Sequence, residues 1–149
     1  MLRYTVVMRL FVILLLCVLP RAALACGLAL VLAVDVSGSV DSREYDIQMK
    51  GLAAALRDGV VQDALVDAQA RLTVVQWTGS SRQRQTIPWT AMTTVADVRA
   101  FADQVDTDFR RWRNFSTAIG EAVALSAELF DLVPGCERRV IDVSGDGVS

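Results

Sequence analysis

Two stretches of the chain place oxygen-bearing side chains at fixed intervals after apolar runs. In "LAVDVSGSVD", residues 32–41, Asp35 ends the run and Ser37 and Ser39 follow at alternate positions; in "RRVIDVSGDG", residues 138–147, Ser144 and Gly145 lead to Asp146. Between them, "STAIGEA" puts Thr117 at the start of an amphipathic segment. Carboxylates and hydroxyls without thiolate or imidazole are a donor set for hard divalent cations, Mg²⁺ above all, with Mn²⁺ or Ca²⁺ as substitutes. Asp, Ser and Gly are also ordinary turn and helix-start residues, so the Asp-x-Ser-x-Ser pattern alone carries little weight. What raises it is the agreement of residue type and position across three separate segments.

Composition removes most other chemistry. The chain has no histidine, which excludes His-dependent triads, His-ligated zinc and imidazole general bases. Its first 25 residues carry Arg3 and Arg9, an apolar stretch from Leu10 to Leu19, then Pro20 and Ala23-Leu24-Ala25. That is the pattern of a secretory signal, residues 1–25, cleaved after Ala25. The apolar stretch is too short to span a bilayer, which takes roughly 20 residues. A lipoprotein signal with lipid on Cys26 is the alternative. Export to the periplasm or the cell exterior is expected, with membrane contact only through this segment. Its loss removes three arginines and no acid, leaving twelve basic against seventeen acidic side chains and a formal charge of −5. A chain so charged, with no clustered cationic face, is not expected to bind nucleic acid.

The elements that must position the oxygens follow from hydrophobic periodicity. "LALVLAVD" is apolar on both faces, as a central strand covered on each side must be. Asp41 and Glu44 are spaced as a capping box, and Tyr45, Met49, Leu52 and Leu56 follow at helical spacing until Asp58-Gly59. "RLTVVQWTG" and "RQTIPWTAM" predict a hairpin turning near Gly79-Ser80-Ser81, with Pro88 placing its second strand at an edge. Trp77 and Trp89 on that hairpin are expected to pack in the core or on a sheet face. Thr94 and Asp97 open another helix with Val98, Phe101, Ala102 and Val105 inward, and a last helix is expected from about Thr117 to Phe130 with Ile119, Ala122, Val123 and Leu129 inward. "RRVIDVSGDG" supplies a second buried-type strand. Strands alternating with helices predict one α/β domain, its sheet mostly parallel and covered by helices on both faces. In such sheets, sites form in the loops beyond the carboxyl ends of the strands.

These motifs resemble a von Willebrand factor A-type domain, whose metal-ion-dependent adhesion site uses Asp-x-Ser-x-Ser, a Thr and a later Asp in this order. "LVLAVDVSGSVD" and "CERRVIDVSGDG" resemble in particular a secreted bacterial family of unknown function. The resemblance implies a Rossmann-like fold over residues 26–149, incomplete at its C-terminal end because such domains continue past the strand near Val140. It implies that Ser37, Ser39 and Thr117 touch a metal through hydroxyls, while Asp35 and Asp146 hold it mainly through water. Neutral direct ligands leave the ion electron-poor, so an acidic side chain of a protein partner would complete its coordination.

Arg110, Arg111 and Arg113, with Trp112 among them, are expected beside that rim as either a solvated loop or a patch that draws an acidic partner. A Mg²⁺-dependent phosphotransferase or hydrolase is the enzymatic alternative, but it wants a second carboxylate where Ser37 stands and a nearby lysine. The only lysine, Lys50, falls within the first helix, so no enzyme is expected. A metal-free structural subunit is the other alternative. Cys26 and Cys136 remain after processing, nine residues before Asp35 and ten before Asp146. If both aspartates end neighbouring parallel strands, the cysteines sit at matching heights at the opposite end, and a disulfide is expected. Two buried free thiols are the alternative.

Overall fold

β1, Leu28–Asp35, is the strand around which the rest assembles. The structure is a computed structural model and describes residues 26–113 and 116–145. The expected signal segment, residues 1–25, and Asp146 lie outside the described residues. β1 pairs in parallel with β2, Arg71–Trp77, on one side and with β4, Arg138–Ser144, on the other. β2 pairs antiparallel with β3, Gln83–Ala91, through the expected hairpin, giving the order β3-β2-β1-β4. Pro88 lies on the β3 edge, where its missing N–H costs no ladder bond.

Because β1 is interior, both its faces are buried. Leu32 and Val34 face a core built with α1, Ser42–Leu56, and α3, Val95–Thr107; Ala29, Val31 and Ala33 face α4, Ile119–Leu129. The capping signals act as expected. Asp41 accepts from Arg43 N and Glu44 N, Glu44 returns a bond to Asp41 N, and Thr94 and Asp97 form the same reciprocal pair at α3. Tyr45, Met49, Leu56, Val98, Phe101, Ala102 and Val105 are buried, while Leu52 packs only partly against the core. Trp77 is 1% exposed, and half-buried Trp89 donates to Leu129 O at 3.0 Å.

Three expectations fail for physical reasons. A helix not predicted from the sequence, α2, Gly59–Asp67, follows α1. Its apolar spacing is blurred because exposed Val60 and buried Gln62 invert the usual pattern. The last helix begins at Ile119, not Thr117, because Ala118 is non-helical, and it buries Ala122 and Ser126 while Ile119 and Val123 stay exposed. β4 is not buried: its outer edge has no neighbour among the described residues, and Val140 is 42% exposed. Cys26 and Cys136 form a disulfide with Cα atoms 4.4 Å apart, in the core beneath α4.

Candidate functional site

At the carboxyl end of β1 the chain leaves the sheet through a tight turn. Asp35 is 1% exposed, and its Oδ1 accepts the Ser37 N–H at 2.7 Å, so the carboxylate folds back over its own loop. The Val36 N–H still bonds Trp77 O at 2.9 Å, which keeps the loop in line with β2 for one residue more. Val40 N donates to Ser37 O, closing the turn before Asp41 caps α1. Ser37 is buried and Ser39 exposed, and their hydroxyl oxygens meet at 3.1 Å. Two hydroxyls and a carboxylate thus gather within one five-residue turn, from 35 to 39.

The neighbouring strand ends close the site. Gly145 follows β4, and a methyl group in place of its hydrogen would lie 2.9 Å from Asp35 Oδ2. Only glycine allows this approach without moving the carboxylate. Beyond β2, Thr78 Oγ1 donates to Ser116 O at 2.9 Å, and Gly79 presses against the Ser116 side chain. The segment carrying Thr117 is therefore held over the end of β2, one residue past that bond. Asp146, next to Gly145, lies outside the described residues. Among the described residues no group of three His, Cys, Asp or Glu side chains is arranged to hold a metal. The described donors are one carboxylate and several hydroxyls, and this hydroxyl-rich set fits Mg²⁺, which binds few protein oxygens and keeps its waters.

The arginine segment has three distinct environments. Arg110 donates from Nη2 to Val36 O at 3.0 Å and Ser37 O at 2.7 Å, so its guanidinium fastens the Asp35 loop from outside. Arg111 stacks 4.0 Å from the Phe109 ring centroid, half-buried Trp112 packs against the core, and Arg113 is exposed. Arg110 and Arg113 border a cleft of about 410 Å³ against α1, together with Tyr45, Asp46, Asp106 and Asp108. The segment is therefore partly a structural strut and only partly a free basic rim.

Gln76 holds this strut, and the sequence reading gave it no role. It is fully buried; its Nε2 donates to Tyr45 Oη, Asp108 Oδ2 and Phe109 O, and its Oε1 accepts the Arg111 N–H. Burial, with the Asp108 charge beside it, pushes the Tyr45 phenol well above its ordinary value, and the phenol donates to Asp108 O at 2.9 Å. A lone glutamine inside the apolar run "RLTVVQW" was the available signal, since a buried amide must find partners.

Comparisons with known proteins agree with this architecture. The von Willebrand factor domain of the type V pili tip protein Mfa5 from Porphyromonas gingivalis superposes with a TM-score of 0.56 at 12% identity, covering 85% of this chain and 40% of that one. A von Willebrand factor type A structure from Catenulispora acidiphila gives 0.50 at 17% identity, covering 76% and 25%. The chain thus spans less than half the length of these solved proteins. At such identities the likeness concerns the fold, which is von Willebrand factor A-type. No curated protein sequence matches the chain. Residues 25–149 match the family described as "Protein of unknown function (DUF1194)", and the chain belongs to that family.

Proposed function

We propose that the protein is an exported, divalent-cation-dependent protein-binding module whose metal site comprises Asp35, Ser37, Ser39, Thr117 and Asp146. The observation that carries this reading is the convergence of the Asp35 carboxylate with the Ser37 and Ser39 hydroxyls at a strand end that Gly145 closes. When bound, Mg²⁺, or Mn²⁺ or Ca²⁺ in its place, would supply a Lewis-acidic position for an acidic side chain of the partner. Ser37 and Ser39 would offer neutral oxygens. Asp35, fixed by the Ser37 N–H, would balance charge from behind, and the Arg110 tether would keep the loop from rearranging as the partner docks. Arg113, exposed like Arg111 but without that residue's ring contact to Phe109, would steer acidic partners. Export fits the disulfide, which belongs to oxidising compartments, and the pilus-tip origin of the Mfa5 structure. No helix among the described residues is long and apolar enough to cross a membrane. Lys50 is exposed on α1 and Ser37 stands where a second carboxylate would be needed, which favours binding over phosphoryl transfer.

Trp77 gives the test its readout, because its backbone is the register partner of Asp35 and its ring is buried. Tb³⁺ added to the purified protein should emit when tryptophan is excited, and Mg²⁺ should compete the signal away. Asp35→Asn keeps an oxygen for the Ser37 N–H and removes the charge, and Asp146→Ala removes the second carboxylate. Both should lose the emission and the Mg²⁺-dependent rise in melting temperature. Undiminished emission in both variants would dismiss the site; a wild-type protein indifferent to all three cations would leave a metal-free structural subunit.

A further inference from the structure

After α3 the chain runs from Asp108 to Arg113 outside both helix and sheet, and its side chains alternate. Asp108, Arg110 and Trp112 are half-buried; Phe109, Arg111 and Arg113 are exposed. Each inward residue has its own anchor. Asp108 Oδ2 accepts from Gln76 Nε2 at 2.9 Å, Arg110 donates to the Val36 and Ser37 carbonyls, and Trp112 packs against the core. Phe109 O and the Arg111 N–H both bond the Gln76 amide, so the backbone is pinned to β2 as well. These contacts set the segment on the β2 side of β1, away from β4.

Its outward face is an aromatic ring followed by two guanidinium groups. Alternate residues of an extended chain lie about 6.6 Å apart, so Arg111 and Arg113 are spaced to meet two carboxylates at alternate positions of an extended partner. Phe109 is 63% exposed, and the Arg111 guanidinium lies 4.0 Å from its ring centroid, which holds that side chain in place before a partner arrives. A third cation stands on the same face. Arg84 of β3 is the register partner of Gln76, and directly opposed residues of an antiparallel pair carry their side chains to one side, here the side on which Gln76 meets Asp108 and Phe109. Arg84, Arg111 and Arg113 are exposed, and none has an ion-pair partner among the described residues. In a chain left with twelve basic against seventeen acidic side chains, this grouping runs against the overall charge.

We propose that residues 109–113 form a ridge that binds an extended acidic segment of a protein partner, with carboxylates at alternate positions facing Arg111 and Arg113 and an apolar side chain facing Phe109. Arg84 attracts the same segment from β3. Arg110 ties the ridge to the loop that follows Asp35, so one further carboxylate of the segment reaches the metal; that last contact rests on the metal-binding reading, and the ridge does not. A peptide fits better than a sulfated or phosphorylated polymer. The exposed ring offers a polyanion nothing, and a chain of this net charge repels a long uniform one.

Fluorescence anisotropy with two fluorescein-labelled peptides of equal composition tests the ridge. One carries a leucine and three aspartates at alternate positions separated by threonines; the other carries the same residues with the aspartates contiguous. At low ionic strength with Mg²⁺, the purified protein should bind the alternating peptide about fivefold more tightly. Arg111→Gln combined with Arg113→Gln should abolish that preference and weaken binding about tenfold. Both side chains face solvent and the Arg111 N–H keeps its bond to Gln76, so circular dichroism and melting should match wild type. EDTA should weaken both peptides and leave the preference intact; a preference with no response to EDTA would remove the metal reading and uphold the ridge. Failure to bind either peptide, equal affinity for the two, a preference that survives in the double variant, or tighter binding of a heparin fragment of equal charge would each overturn the proposal.

Discussion

Replacing Gly145 with alanine tests the packing of the site through a single methyl group. The new carbon would lie 2.9 Å from Asp35 Oδ2 and 3.4 Å from Asp35 Cβ, against an ordinary contact limit of about 3.4 Å. The carboxylate must retreat by about half an ångström, but Asp35 is 1% exposed and its other oxygen is held by the Ser37 N–H at 2.7 Å. Rotation away from the methyl breaks that charge-assisted bond inside the protein, which costs about 1.5 to 3 kcal/mol. The alternative is for the end of β4 to peel from β1, and strain of this kind costs roughly the same, about 1 to 3 kcal/mol. Either route predicts a loss near 2 kcal/mol, or a fall in melting temperature of roughly 5 to 12 °C for a domain of this size.

Thermal unfolding followed by circular dichroism measures this, with Gly135→Ala as the control. A methyl at Gly135 has no atom within 4 Å, so that variant should melt within about 2 to 3 °C of wild type. The Gly145 variant should also lose its response to Mg²⁺, because the displaced carboxylate no longer sits behind the serines. If Gly145→Ala melts with the control, Asp35 is not wedged against β4, and the site geometry derived from that contact is wrong.

Gln76→Leu should cost roughly 2 to 4 kcal/mol, read by urea unfolding, because it strands the Asp108 carboxylate, Phe109 O and the Arg111 N–H at once. An unchanged midpoint would show that the 108–111 segment does not depend on it. Reduction of the disulfide, which spans 110 residues, should lower stability by at most about 4 to 5 kcal/mol in the chain-entropy model, seen as a lower melting temperature under reductant. Equal melting with and without reductant would refute this. Hydrogen bonds from Thr93 and Thr94 hold the Asp97 carboxyl below its ordinary value of 3.8. Its contribution is therefore complete above that value and fades as pH falls through the depressed one, so Asp97→Ala should destabilise at neutral pH and converge on wild type in acid. A gap that persists undiminished at low pH would assign the effect to something other than ionisation.

What the sequence made legible was whatever depends on near neighbours. The Asp41–Glu44 and Thr94–Asp97 boxes lie three residues apart, the hairpin turns within a few residues, and β1 announces its interior place by being apolar on both faces. The Arg110 tether was not legible, because its acceptors lie 73 and 74 residues away and no local pattern marks a guanidinium that will meet carbonyls. Gln76 is the same case: its partners come from α1 and from the segment after α3, which meet only in the folded chain. The exposure of Ile119 and Val123 was hidden for a related reason, since apolar spacing shows which face turns inward and not whether anything covers it.

One number in the fold was nearly legible, and the small error in it is informative. Nearly equal spacing from cysteine to aspartate, nine residues and ten, suggested that Cys26 faces Cys136 and that Asp35 matches Asp146. The strands do pair at a constant offset of 110 residues, from the disulfide through Leu28↔Arg138 to Val34↔Ser144. Carried one step further, that offset sets Asp35 beside Gly145, not Asp146. The difference of one residue decides the chemistry. A side chain at the matching position would collide with the Asp35 carboxylate, so the sequence places glycine there and the acid immediately after it. The disulfide at the far end fixes this register, because a slip of a single residue would separate the cysteines and bring Asp146 against Asp35, two carboxylates in a space that admits only a hydrogen.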